Sequence, residues 1–375
     1  MSELKAQLAA LPEDVKARLT RYGFDPERLL KLGEKLARGE VDAGVVTGRV
    51  EAPGPNEVVT PPAAGTPEYA ALEERGAAAL RAGKVALVVL AGGMATRMGG
   101  VVKALVEALP GKTFLDVRLA EIDALARRYG QAPPLWLMTS DATDAGIREA
   151  LGARLDGYQV ATFTQSLALR LTPDGKLFLD EKGRPSEHAP GHGDLPDALK
   201  QSGLLGRFVE GGGELLLLTN LDNLGGTLDP ALIGFHLAHA HPVTSEVVDK
   251  LADDRGGIPV RVDGKLRILE EFRIPPSFDP QTVRVFNTNT FYVDARALLE
   301  LEMDWRFFAV KKKVGDTPVI QFERIVNEIT SELSTVYLRL PREGASSRFL
   351  PVKDPAELER RRPEIAAVGR ARGIL

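Results

Sequence analysis

The residues best placed to do chemistry lie in one stretch, Leu90-Ala91-Gly92-Gly93-Met94-Ala95-Thr96-Arg97-Met98-Gly99-Gly100, directly after the apolar run Val85-Ala86-Leu87-Val88-Val89. An apolar run broken at once by glycines reads as a buried strand that opens into a loop. Glycines bring the backbone close to a polyphosphate and aim its N–H groups at the oxygens. Arg97 and Lys103 bring positive charge to the same place. The stretch is therefore read as a nucleotide site. A dinucleotide loop fits less well, because Gly-x-Gly-x-x-Gly and an acid about 20 residues on are both missing. Gly111-Lys112-Thr113 fails as a phosphate loop, since Val106 stands where glycine is required, and reads as a helix start.

Further along, Asp222 follows the apolar run Leu215-Leu216-Leu217-Leu218 and is either a structural cap or a magnesium ligand. Hard carboxylate oxygens suit magnesium, which takes one or two protein carboxylates and fills its other positions with phosphate and water. Gly191-His192-Gly193-Asp194 suggests close backbone approach to a ligand, although a plain turn would use the same glycines. His236, His239 and His241 lack a further ligand at zinc spacing, so a surface or packing role is expected for them. Lys311-Lys312-Lys313 reads as a solvated loop, with a phosphate contact as the less favoured alternative. No serine nucleophile elbow with its histidine and acid is evident.

The elements that must position these residues alternate between strand and helix. Helical spacing and start signals cover residues 1–40, and breakers such as Ala52-Pro53-Gly54-Pro55 make 41–66 a linker across the surface. Helices are predicted over 67–81, 113–129, 195–209 and 318–333. Strands are predicted over 135–139, 160–165, 214–219, 283–293 and 335–340. Asp263-Gly264 between 258–262 and 265–272 predicts a hairpin, read as an antiparallel addition to the sheet. The class is α/β, with a mixed, mostly parallel sheet covered by helices. The expected division is an N-terminal helical segment with linker, 1–66, and a catalytic unit, 67–375.

With 375 residues, 44% hydrophobic and 27% charged, the chain is long enough for a substantial core. A net charge of −4 gives no general attraction to nucleic acid, so phosphate binding must be local. The absence of cysteine excludes disulfides, thiolate metal sites and a cysteine nucleophile. No signal peptide and no membrane-spanning run is apparent, so a cytoplasmic enzyme without membrane or nucleic-acid partners is the expectation.

Several segments together resemble the eukaryotic-type UDP-sugar pyrophosphorylases. They are Leu90-Ala91-Gly92-Gly93 with Thr96-Arg97-Met98-Gly99 and Lys103, Gln165-Ser166, Gly191-His192-Gly193-Asp194 and Ser202-Gly203-Leu204-Leu205. Asn220-Leu221-Asp222-Asn223, Phe286-Asn287-Thr288-Asn289, Val319-Ile320-Gln321 and Ser347-Arg348-Phe349-Leu350-Pro351-Val352-Lys353 follow in the family's order. The resemblance implies a nucleotidyltransferase fold of the glycosyltransferase-A, Rossmann-like type. It also implies magnesium-dependent transfer of uridylyl from UTP to a sugar 1-phosphate. His192 favours the glucose branch, since the N-acetylglucosamine branch resembles Gly-Asn-Gly-Gly at that point.

Matched by position, Leu90, Ala91, Gly92, Gly93, Lys103, Gln165, Gly191 and Asp222 would hold UTP. His192, Asn220, Leu221, Asp222, Glu270, Asn287, Asn289 and Lys353 would face the sugar phosphate. Asp222 would hold the metal, and Lys353, Lys103 and Arg97 would carry the catalytic charge. The chain departs from the family in Ala95, which replaces a glycine, and in the residues preceding Lys103. It also ends soon after Lys353, without the β-helical domain through which family members assemble, so a monomer or small oligomer is expected. The alternatives are another UDP-sugar pyrophosphorylase or a catalytically silent regulator that binds nucleotide sugars.

Overall fold

The computed structural model describes residues 3–41, 44–95 and 98–375. Eight strands form the central sheet: β1 (Val58–Val59), β2 (Val85–Leu90), β3 (Leu135–Thr139), β4 (Val160–Thr164), β5 (Leu215–Asn220), β6 (Val243–Asp249), β7 (Val285–Asp294) and β8 (Thr335–Arg339). Their order is β1-β8-β6-β7-β5-β2-β3-β4. Only β7 runs against the others, pairing antiparallel with β5 and β6.

Period-two alternation sends successive side chains to opposite faces. Val85, Leu87, Val89, Leu215 and Leu217 enter one core layer. Ala86, Val88, Leu216 and Leu218 enter the other. This explains why β2 and β5 are apolar without interruption: both of their faces are covered. On one face, the helices Pro67–Arg81 and Pro230–His236 cross at glycines. A Cβ on Gly76 would sit 1.9 Å from the Pro230 carbonyl oxygen, and one on Gly234 1.8 Å from that of Leu72. The helix Phe114–Tyr129 starts at Thr113 in a capping box with Asp116, as expected.

Four expectations are corrected. The stretch 195–209 is two helices, Leu195–Gln201 and Leu204–Glu210, because Gly203 turns left-handed (φ +78°) between them. The 258–269 hairpin forms as expected, with Asp263 and Gly264 both at positive φ. It does not join the central sheet but pairs with Val50–Glu51 in a separate three-stranded one. The predicted helix over 318–333 is instead a strand, Thr317–Glu323, followed by the short helix Ile329–Glu332. That strand pairs antiparallel with Phe308–Val314, so Lys311-Lys312-Lys313 lies on a strand and not in a loop.

The 308–323 hairpin has two working faces. Ile320 and Phe322 pack with Leu4, Leu8, Leu11, Leu19 and Leu29 of the N-terminal helices. Gln321 and Glu323 point the other way, into the cleft described below. The segment 41–66 is stitched to both sheets through Val50–Glu51 and Val58–Val59.

Candidate active site

Strand order reverses between β2 and β5, since β3 and β4 extend the sheet on one side of β2 while β5 lies on the other. In open α/β sheets ligands bind at such a switch point, beyond the carboxyl ends of the strands. The register brings Asn220, Leu90 and Met138 side by side at that edge. A cleft of about 710 Å³ opens above them.

Leu90, Ala91, Gly92, Gly93, Lys103, Gln165, Gly191, His192, Asn220, Leu221 and Asp222 all line it. The glycine loop is fixed by bonds from Ala91 N–H to the Met138 carbonyl (2.8 Å) and from the Ser140 hydroxyl to the Gly92 carbonyl (2.8 Å). A Cβ on Gly92 would come within 2.2 Å of Gln165 Nε2, so any other residue there would displace the Gln165 side chain. Ala95, where the resembling family has glycine, is buried and lies on the short strand Met94–Ala95. Lys103 follows on a 3-10 turn, and its Nζ donates to Asp222 Oδ2 at 2.5 Å. The two side chains are 19% and 18% exposed, so their charges face each other from the cleft wall.

The loop that carries Asp222 is held from behind by Arg118, which is fully buried. Its guanidinium donates to the carbonyls of Asn220 (3.0 Å), Asn223 (2.8 Å) and Gly226 (2.9 Å), and to Glu121. Arg118 is thus the template on which the Asp222 loop is bent. Sequence reading missed it, because an arginine within a helix gives no local sign of the carbonyls it will reach.

The glycines of Gly191-His192-Gly193-Asp194 are explained by the protein's own backbone. A Cβ on Gly193 would sit 2.4 Å from the Ile325 nitrogen, and one on Gly191 2.7 Å from the Arg324 carbonyl oxygen. His192 Nδ1 accepts from the Val326 N–H at 3.0 Å. The ring proton must therefore sit on Nε2. Burial pushes this imidazole down to about 4, so at neutral pH it is an uncharged N–H donor.

The other expected sugar-facing residues are not on the cleft lining. Asn289, held at φ +56°, donates from Nδ2 to Asn220 Oδ1 (2.8 Å), and its N–H donates to Asn287 Oδ1 (3.1 Å). Asn287 and Asn289 therefore lie directly behind Asn220. Glu270 accepts from Asn327, and burial raises its carboxyl above the usual range. Lys353 is exposed, beside the Asp354 cap of the last helix, Pro355–Ala371. Arg97 lies outside the described residues.

The cleft also takes Ser140, Asp141, Arg170, Glu187, Lys312 and Glu323, none of which was assigned to the site from sequence. Asp141 and Glu187 are bridged by Arg18 of the N-terminal helix Glu13–Arg21, at 2.5 and 3.1 Å. The helices before residue 41 thus reach the rim of the cleft. His236 bonds Thr244 and Asp294, consistent with packing. Among the described residues no group of three or more His, Asp or Glu could hold a metal ion. A metal on Asp222 would share one protein carboxylate with phosphate oxygens and water, which is a set magnesium accepts. No helix of the described residues is long and apolar enough to cross a membrane.

A family model described as UTP–glucose-1-phosphate uridylyltransferase matches residues 49–360. A UTP–glucose-1-phosphate uridylyltransferase of Encephalitozoon cuniculi is 33% identical over 291 residues, covering 73% of this chain and 57% of the relative. One from Astragalus penduliflorus is 30% identical over 294 residues, covering 73% and 61%. The chain spans about three fifths of the length of these curated relatives. Among solved structures, the uridine diphosphate N-acetylglucosamine pyrophosphorylase of Trypanosoma brucei superposes with a TM-score of 0.74. It has 20% identity over 93% of this chain and 79% of that one, a likeness of fold.

Proposed function

The chain belongs to the UTP–glucose-1-phosphate uridylyltransferase family, and from that premise we propose that it converts UTP and glucose 1-phosphate to UDP-glucose and pyrophosphate. The observation that carries the reading is the Lys103–Asp222 pair beside the Gly92-Gly93 loop, at the switch point of the sheet. A sugar 1-phosphate is already an anionic nucleophile at neutral pH, so the reaction needs no general base. Its phosphate oxygen attacks the α-phosphorus in line; one P–O bond forms, the α–β bridging P–O bond breaks, and pyrophosphate leaves with its electron pair. The barrier is the meeting of two anions, which positioning and preorganised cations lower.

In this reading the Gly92-Gly93 backbone and Lys103 take the triphosphate, and Gln165 and Gly191 take the nucleoside. Asp222 would hold magnesium, which when bound neutralises charge on the phosphates. His192 Nε2–H, uncharged and fixed in direction by Val326, donates to the sugar phosphate without holding it as a full cation would. Asn220, oriented by Asn289, marks the sugar side. Lys353 and Arg97 complete the positive charge around the phosphates.

The product left by the nucleotide tests this. With glucose 1-phosphate labelled in its phosphate oxygens, the label should appear in UDP-glucose, with unlabelled pyrophosphate released. Orthophosphate release, or label in the pyrophosphate, would place the attack at another phosphorus and overturn the reading.

A further inference from the structure

The loops that carry Gln165 and His192 meet on a side chain that does not line the cleft. Arg324 follows the strand Thr317–Glu323, and its side chain is 2% exposed. One end of its guanidinium donates to Asp194 and the other to Asp197. Asp194 in turn accepts from the Ser166 N–H (2.5 Å) and hydroxyl (3.0 Å), which ties the residue next to Gln165 to the residue two places after His192. The Arg324 backbone reinforces the join. Its N–H donates to the Pro190 carbonyl (2.7 Å), and its carbonyl accepts from the Gly193 N–H (3.0 Å). The guanidinium carbon lies 5.1 Å from the Trp305 ring centre and 5.6 Å from that of Phe307.

We propose that Arg324 is a positioning residue for the transfer: it sets the spacing of Gln165 and His192 by neutralising and clamping Asp194, without touching either substrate. A buried carboxylate stripped of its cation is strongly unfavourable, so the loop around Asp194 must rearrange if the charge goes. Lysine does not reproduce the clamp, because an ammonium has neither the planar donor geometry that holds Asp194 nor the guanidinium's contact with the Trp305 and Phe307 rings. The Nε–H is buried without an acceptor, so the fork is aimed at the two aspartates at the expense of that bond. Asp194 is 1% exposed while Asp197 is 33% exposed, so Asp194 is the partner that matters.

The effect on turnover rests on the proposed transfer, whereas the effect on UTP affinity rests only on the nucleotide-binding part of that reading. Arg324→Lys and Arg324→Ala are compared with wild type by calorimetric UTP binding, by kcat/KM, and by thermal melting. All are assayed well below the lowest melting point. Arg324→Lys should weaken UTP binding about tenfold and lower kcat/KM by about 10²-fold, the scale for a small misplacement of reacting groups. Adding methylguanidinium to Arg324→Ala should recover part of both, and Asp197→Asn should change neither by more than about threefold. A folded Arg324→Lys with wild-type affinity and turnover would overturn the proposal. So would an Arg324→Ala protein whose losses follow its melting point alone and ignore methylguanidinium. If wild type binds UTP but transfers its uridylyl group to no sugar phosphate, the functional reading fails, and the UTP affinities still decide the role of Arg324.

Discussion

Lys103 and Asp222 are far apart in sequence yet sit 2.5 Å apart on the cleft wall, and both were recognisable because each follows directly from an apolar strand and its loop. Arg118, Arg324 and Lys312 were not, since their roles depend on partners that only the folded sheet brings near. Lys353 is the opposite case, marked by the Leu350-Pro351-Val352-Lys353 motif but exposed and off the cleft lining. Its proposed role therefore requires the side chain to reach the phosphates when they are bound. Lys353→Ala should lower kcat by about 10²–10³-fold, the scale for one preorganised charge contact, while leaving calorimetric UTP affinity within a few fold. Wild-type turnover in that variant would remove Lys353 from the site.

At the scale of elements, the strands of the switch point were legible because doubly covered strands are continuously apolar, a signal that survives without tertiary knowledge. The strand Thr317–Glu323 carries a helix signal in sequence, although Ile320-Gln321-Phe322-Glu323 alternates. Proline near its start imitated a helix opening, and its inward partners are N-terminal leucines that no local window contains. In sequence the glycines at 191 and 193 fit close approach to a ligand and a plain turn equally well, and the group that crowds them is the Arg324–Ile325 backbone. Gly193→Ala should therefore cost about 1–3 kcal/mol of stability, the range for overpacking against backbone that cannot move aside. It should also raise KM for the sugar phosphate through displacement of His192. Chemical denaturation and steady-state kinetics check both, and an unchanged unfolding midpoint would mean that the loop yields freely.

On the scale of the whole molecule, three apolar clusters are joined by the sheet and by the 308–323 hairpin, and the N-terminal helices close one end of the cleft through Arg18. Two histidines near that cleft make the fold sensitive to acid. Burial pushes both His188 and His192 from 6.5 down to about 4. Between those values the unfolded chain takes up protons that the folded one refuses. Stability is then fully present above pH 6.5 and falls as pH drops toward 4, by about 1.4 kcal/mol per pH unit for each histidine. Urea denaturation from pH 7 to 5 should show this slope, and His188→Gln should flatten it by one proton's worth. An unaltered slope in the variant would mean that His188 is not held neutral by the fold.

Catalysis and the choice of sugar are both read by pyrophosphate release from UTP and magnesium, run in parallel with glucose 1-phosphate and N-acetylglucosamine 1-phosphate. Turnover that strongly favours glucose 1-phosphate is predicted, because the proposed reading sets His192, fixed by the Val326 N–H, and Asn220, bonded by Asn289, against the sugar phosphate. Preference for the acetylated sugar would contradict the substrate assigned here, and silence with both sugars in a protein that binds UTP would contradict the assignment of catalysis itself.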